Sequence, residues 1–191
     1  MKRDAEFYND DKIGKIGEEF FKKILKSKSK ENWDIINVSD DEYFRKLDID
    51  LIESLHDEID SVKDGRFESW DEKRFSNIGR SWEIKTDTYI ERTGNATYEF
   101  FVRNKSMGCT ELTTADFIVY LQYSEDERRI TNGWYINPRK WRDWLRQHLR
   151  KKDYSNYIKV TENSNNEGYR ILFNCKINIL VKDKIATRIP F

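Results

Sequence analysis

The chain has 191 residues, with 35 Lys and Arg against 35 Asp and Glu and a formal net charge of zero. That length is ample for a real core, and the neutral balance argues against a protein that grips nucleic acid by bulk charge alone. The sequence is polar, yet its 14% aromatic content, with 6 Trp, 10 Tyr and 11 Phe, argues against disorder. No apolar run approaches the roughly 18 residues of a membrane helix, and the opening MKRDAEFYNDDK has no signal-peptide core. The expectation is a soluble, intracellular protein.

Two scarcities narrow the chemistry. Cys109 and Cys175 are far apart and offer no CxxC zinc spacing, and reduced thiols are expected. His56 and His148 are the only histidines, which excludes an HExxH site or a multi-histidine nuclease cluster. GKIGEE at 14–19 lacks the GxxxxGK[ST] pattern of a phosphate-binding loop. Any catalysis must therefore rest on acids and lysines.

The first predicted element is a helix from about 11 to 28. Ile13, Ile16, Phe20 and Ile24 recur at helical spacing, Phe21 and Leu25 widen the stripe, and Asn9, Asp10 or Asp11 would cap it. Trp33 to Val38 reads as a strand. Leu47, Ile49 and Leu51 alternate with Asp48, Asp50 and Ile52 and predict a second. Ile78–Lys85, Tyr98–Arg103 and Ala115–Tyr123 give a third, fourth and fifth, and no element is assigned to the charged stretch 54–77. Trp134–Ile136 is a further short strand. Asn137-Pro138 then supplies a cap and a first-turn proline for a helix to about Lys152, carrying Trp141, Trp144, Leu145 and Leu149. Alternation over Tyr157–Val160, Tyr169–Phe173 and Ile177–Val181 predicts closing strands. This order of helix, strands, helix and strands describes a sheet covered by helices, with no linker and no repeat.

Neutrality conceals a segregation of charge. Residues 40–72 carry thirteen acids against four bases, whereas residues 139–152 carry seven bases against Asp143 alone. The simplest reading of either run is a solvated face. Within the acidic half, however, two short patterns carry chemistry. On the strand Trp82-Glu83-Ile84-Lys85, Glu83 and Lys85 share one face, about 7 Å apart, with Trp82 and Ile84 behind. Asp48 and Asp50 share a face in the same way. If those strands pair, Asp, Glu and Lys converge. A third acid, Glu18, lies at the edge of the buried stripe of the first helix, and Gly14 and Gly17 would let that helix approach closely. Clustered carboxylates repel unless a cation neutralises them, and hard divalent ions take oxygen ligands.

Gly14-x-x-Gly17-Glu18 on a helix, Asp48-Ile49-Asp50-Leu51-Ile52 on a strand and Trp82-Glu83-Ile84-Lys85 on the next resemble the PD-(D/E)XK nuclease superfamily. In motif order they are similar to Holliday-junction resolvases and to bacterial proteins with a GE…xIDLI…VEVK signature. The run from Thr93-Gly94-Asn95 to Thr113-Thr114-Ala115-Asp116 is similar to phage-encoded members; Glu99 and Asp116 within it read as structural or exposed. The resemblance spans about residues 10–123. A long insertion between Asp50 and Glu83 departs from compact members, and Thr86 and Asp87 fall where relatives carry polar residues near the site.

The resemblance implies an α/β, restriction-endonuclease-like core: a mixed central sheet flanked by helices. It would form one domain over 1–191, with a C-terminal extension of helix and strands from about 124. It implies a Mg²⁺-dependent DNA nuclease, with Mn²⁺ able to substitute, that hydrolyses phosphodiester bonds; an endonuclease is favoured over an exonuclease, though the sequence leaves that choice open. Glu18, Asp50 and Glu83 would bind metal with the backbone carbonyl of Ile84, and Lys85 would assist the attacking water. Asp48 is the alternate strand acid. DNA would be the partner, held through Lys105 and through Arg139, Arg142, Arg146 and Arg150, which share roughly one helix face. A homodimer and a bacterial or phage-infected cytoplasm fit the same picture. A catalytically silent nucleic-acid-binding protein and an acidic DNA mimic are the rival readings.

Overall fold

The computed structural model describes residues 2–29, 33–55, 79–102, 106–152, 154–165 and 168–191. The chain divides into two compact units, Met1–Thr86 with Thr114–Asp116, and Asp87–Thr113 with Phe117–Phe191. Both combine helices with β-sheet, so the class is α/β. Most of the charged stretch 54–77, including His56, lies outside the described residues.

The first unit opens with helix α1 (Lys2–Lys28), which starts well before the predicted start at about residue 11 and its caps. Asp10 and Asp11 therefore lie within the helix and do not cap it. Its buried stripe is Ile13, Gly17, Phe21 and Leu25, spaced by four, while Ile16, Phe20 and Ile24 flank it half-buried. Gly17 is buried, as close approach requires. A Cβ at Gly14 would meet nothing within 4 Å, so close packing is not the reason for that glycine.

Strands β1 (Trp33–Asn37), β2 (Leu51–Leu55) and β3 (Gly79–Asp87) follow, antiparallel, with Asn37 opposite Leu51 and Leu51 opposite Trp82. The predicted second strand is corrected at its start, because Leu47 belongs to a short helix, α2 (Glu42–Leu47). Asp41 caps it by accepting from Tyr43 N at 2.8 Å and Phe44 N at 3.3 Å, and Phe44 is buried. Asp48 ends it in the left-handed region, at φ 57°. An aspartate tolerates that conformation better than most residues, so the D-x-D alternation begins at a turn. Val38, Phe44, Ile49, Ile52 and Ala115 form one small core, and the Phe21 ring meets Trp82 edge-on at 5.2 Å.

The second unit begins at the end of β3 and continues through α3 (Ile90–Thr93), β4 (Asn95–Val102), β5 (Ser106–Met107) and α4 (Cys109–Leu112). Then come β6 (Phe117–Ser124), β7 (Arg129–Ile136) and helix α5 (Pro138–Leu149). A 3₁₀ turn at Tyr154–Asn156 leads to β8 (Ile158–Asn165), β9 (Gly168–Lys176), α6 (Ile177–Lys182) and β10 (Ala186–Arg188). Strands β6 and β7 form a hairpin, to which β10 adds beside β7; a separate antiparallel sheet runs β5-β4-β9-β8. The predicted α5 starts as expected, with Asn137 accepting from Lys140 N at 2.9 Å and Pro138 in the first turn. Trp141, Trp144 and Leu145 enter a core shared with Tyr98, Ile118, Phe173 and Leu180.

The predicted strand at Ile177–Val181 is a helix. Ile177 and Leu180, three residues apart, both turn into that core, a spacing that a helix satisfies and a strand does not. Gly108 marks a close approach: a Cβ there would lie 2.4 Å from the carbonyl oxygen of Glu99. Among the described residues, no helix is long and apolar enough to cross a membrane.

Candidate active site

Of the acids singled out in the sequence, Asp50 and Glu83 meet at one end of the β2–β3 pair, within the first unit, and the charges of Asp48 and Glu18 act on that pair. Asp50 lies just before β2, whose pairing with β3 starts at Leu51 and Trp82, and its N–H donates to Trp82 O at 2.9 Å. Asp50 Oδ2 accepts from Ile84 N at 2.7 Å. The Asp50 and Glu83 carboxyls are hydrogen-bonded to each other, and Glu83 is buried.

Burial is the main cause of the shift at both acids, because a charge loses water solvation there. It pushes Asp50 from 3.8 up to about 6; the Ile84 amide opposes this, while the charges of Glu18 and Asp48 reinforce it. Glu83 is pushed well above the usual carboxylate range, first by burial and then by Asp50 and Asp48, with Lys85 pulling the other way. Both carboxyls are therefore held above the ordinary carboxylate range, each made harder to ionise by its surroundings. Both Asp48 and Asp50 act on Glu83, but it is Asp50 that bonds to it and to the β3 backbone.

Glu18 arrives from α1 and is held by two residues that the sequence reading passed over. Its Oε2 accepts from Asn37 Nδ2 at 2.8 Å and lies 3.1 Å from Ser39 Oγ. Asn37 is itself fixed: its Oδ1 accepts from Ser39 N at 2.9 Å and lies 2.7 Å from Ser39 Oγ. The signal for this pair was weak, since N-x-S at the end of a strand reads first as the start of a turn.

A hard divalent cation suits this donor set. Carboxylates from α1 and from two paired strands, with a backbone carbonyl beside them, are oxygen ligands. The repulsion that lifts Asp50 and Glu83 is also what a double positive charge relieves. Among the described residues, no three His, Cys, Asp or Glu side chains are grouped at metal-holding spacing. Asp50 is bonded to Glu83 and to the Ile84 amide, while Glu18 is turned to Asn37 and Ser39.

Residues near the motif have structural work of their own. Asp116 Oδ2 accepts from Ser81 N at 2.9 Å and Ser81 Oγ at 3.0 Å, bracing β3. Asp87 accepts from Tyr89 N and from the Tyr120 hydroxyl, each at 2.5 Å. Cys175 is buried, and burial pushes its thiol up to about 12, so it is no nucleophile at neutral pH.

The basic residues expected at DNA divide. Arg142 reaches the carbonyls of Glu111 at 3.2 Å and Thr113 at 3.3 Å, and Arg146 pairs with Glu111 at 3.1 Å. Glu111 also accepts the Tyr98 hydroxyl, so these two arginines tie α5 to α4. Arg139 and Arg150 are exposed at the two ends of α5. Lys105 lies outside the described residues.

Compared with known proteins, the chain matches no family model, no curated protein and no solved structure.

Proposed function

We propose that this chain is a divalent-metal-dependent nuclease on a restriction-endonuclease-like core. The observation that carries the reading is the buried Asp50–Glu83 pair, lifted by burial and by the charges of Asp48 and Glu18, with Lys85 two residues along the same strand. Buried, mutually repelling carboxylates cost stability, and such groups concentrate where chemistry needs them.

Glu18, Asp50, Glu83 and the carbonyl of Ile84 would hold Mg²⁺ or Mn²⁺. Bound there, the cation supplies charge neutralisation at a phosphoryl oxygen and an acidified water. Asp50 and Glu83 must both ionise to serve as ligands, against the burial that disfavours their charged forms, and the Ile84 amide keeps the Asp50 carboxylate aimed while they do. Lys85 lowers the cost of ionising Glu83 and is the group placed to orient, or take a proton from, the attacking water. DNA is the proposed substrate, with Arg139 and Arg150 as candidate phosphate contacts. Arg142 and Arg146 act first in holding α4.

One observation favours a second reading, a nucleic-acid-binding protein whose site is silent: Glu18 is already engaged by Asn37 and Ser39. Incubation with circular duplex, single-stranded and branched DNA, in Mg²⁺, Mn²⁺ or EDTA, separates the two. The nuclease reading expects metal-dependent cleavage that Glu83→Ala and Lys85→Ala each reduce by roughly a hundredfold or more while both variants stay folded. Cleavage surviving in both variants overturns it. Salt-sensitive binding without cleavage in any metal selects the silent protein.

A further inference from the structure

In the second unit, one aromatic ring stands out of the core on an unusually well-fixed backbone. Tyr89 is 64% exposed, the most exposed of the large hydrophobic residues among those described. Its amide donates to Asp87 Oδ1 at 2.5 Å. Its carbonyl accepts from Arg92 N at 3.1 Å, Thr93 N at 2.9 Å and Thr93 Oγ1 at 2.9 Å. Asp87 in turn accepts from the buried Tyr120 hydroxyl at 2.5 Å, and that oxygen accepts from Thr97 N at 3.0 Å. Ile90, the next residue, is 2% exposed and packs in the main core. The backbone of Tyr89 is therefore tied to β4 and β6 while its ring projects into solvent.

The ring is also charged on one side. The Arg92 guanidinium lies over it, 4.9 Å from the centroid. A cation on one face leaves the other face for a second planar group, and the same guanidinium can meet a phosphate. Exposing this much aromatic surface gains nothing for folding, and a mobile side chain would lose entropy on binding. Here the backbone ordering is already built into the turn, and Arg92 holds one face of the ring.

We infer that Tyr89, backed by Arg92, is a stacking platform for an unpaired nucleobase of a single-stranded nucleic acid. The inference rests on the nucleic-acid reading above, but its test does not depend on cleavage. Stacking of a base on an aromatic ring tolerates any sequence and is worth about 1–3 kcal/mol per base. A duplex, whose bases are already stacked, gains little from it.

The test is fluorescence anisotropy of a labelled 20-nucleotide oligo(dT) and of a duplex of the same length, with the full chain in EDTA. Wild type is expected to bind the single strand. Tyr89→Ala should weaken that binding roughly five- to a hundredfold and leave the duplex affinity unchanged. Tyr89→Phe should bind as wild type, because the π face and not the hydroxyl is used. Arg92→Ala should give a smaller loss. Unchanged circular dichroism and melting of the variants, expected for an exposed side chain, exclude misfolding. Equal single-strand affinity for Tyr89→Ala and wild type overturns the proposal. So does no oligo(dT) binding by wild type, or a loss with Arg92→Ala alone. Failure of the nuclease reading looks different: Glu83→Ala cleaves like wild type, or nothing cleaves at all, whatever the anisotropy reports.

Discussion

Replacing Asp50 by Asn should make the protein more stable and, on the proposed function, inactive. The carboxyl is held near 6 against an ordinary value of 3.8. At about 1.36 kcal/mol per unit, ionising it in the folded protein costs about 3 kcal/mol. Asparagine keeps the shape and an oxygen that accepts from Ile84 N, now 2.7 Å from the carboxylate. That bond loses its charge assistance, worth about 1 kcal/mol. The net gain is about 2 kcal/mol in EDTA at pH 8. Because the folded carboxyl titrates near 6 and an unfolded one near 3.8, the penalty is fully present above pH 6 and shrinks as the pH falls between those values. It is absent below the lower one. The gap between variant and wild type must follow that course. Urea titrations in EDTA from pH 4 to pH 8 measure it, with the slope checked for constancy. Adding millimolar Mg²⁺ should then stabilise wild type and not Asp50→Asn, since a ligand stabilises only a folded state that binds it. An Asp50→Asn protein that is less stable at pH 8, or a gap that does not change with pH, would refute the account of burial and repulsion.

Two further outcomes test the surroundings of that site. Asn37→Ala removes the amide that holds Glu18. Cleavage titrated against Mg²⁺ should need severalfold more metal at half-maximum, with maximal rate much less affected, whereas a merely structural defect would lower the melting temperature without moving the metal midpoint. Gly14→Ala places a methyl where nothing lies within 4 Å, inside a helix. It should stabilise the chain by about 0.8 kcal/mol, read as a higher urea midpoint at unchanged slope; a loss of stability would mean α1 packs more tightly at Gly14 than its geometry shows.

The sequence by itself determined whatever depends on neighbours along the chain. The helical spacing of Ile13, Ile16, Phe20 and Ile24, widened by Phe21 and Leu25, makes one side of α1 apolar, and Asn137-Pro138 starts α5, because caps and periodicity are local. The acids at 18, 50 and 83 were legible as motifs for the same reason. Only the tertiary structure decided what those side chains meet. Asp48 looked like a strand residue until α2 ended on it in the left-handed region, and Ile177–Val181 alternated convincingly yet turned helical to bury Leu180. Arg142 and Arg146 read as a phosphate-tracking face, but α4 packs beside them and takes their charge. Asn37 gave no sign of holding Glu18, nineteen residues away. Hydrogen-bond partners and burial are set by contacts between distant segments. The neutral total of the opening count therefore resolves into particular neighbours: an acid pair lifted chiefly by its burial, and a basic helix partly spent on holding its neighbour.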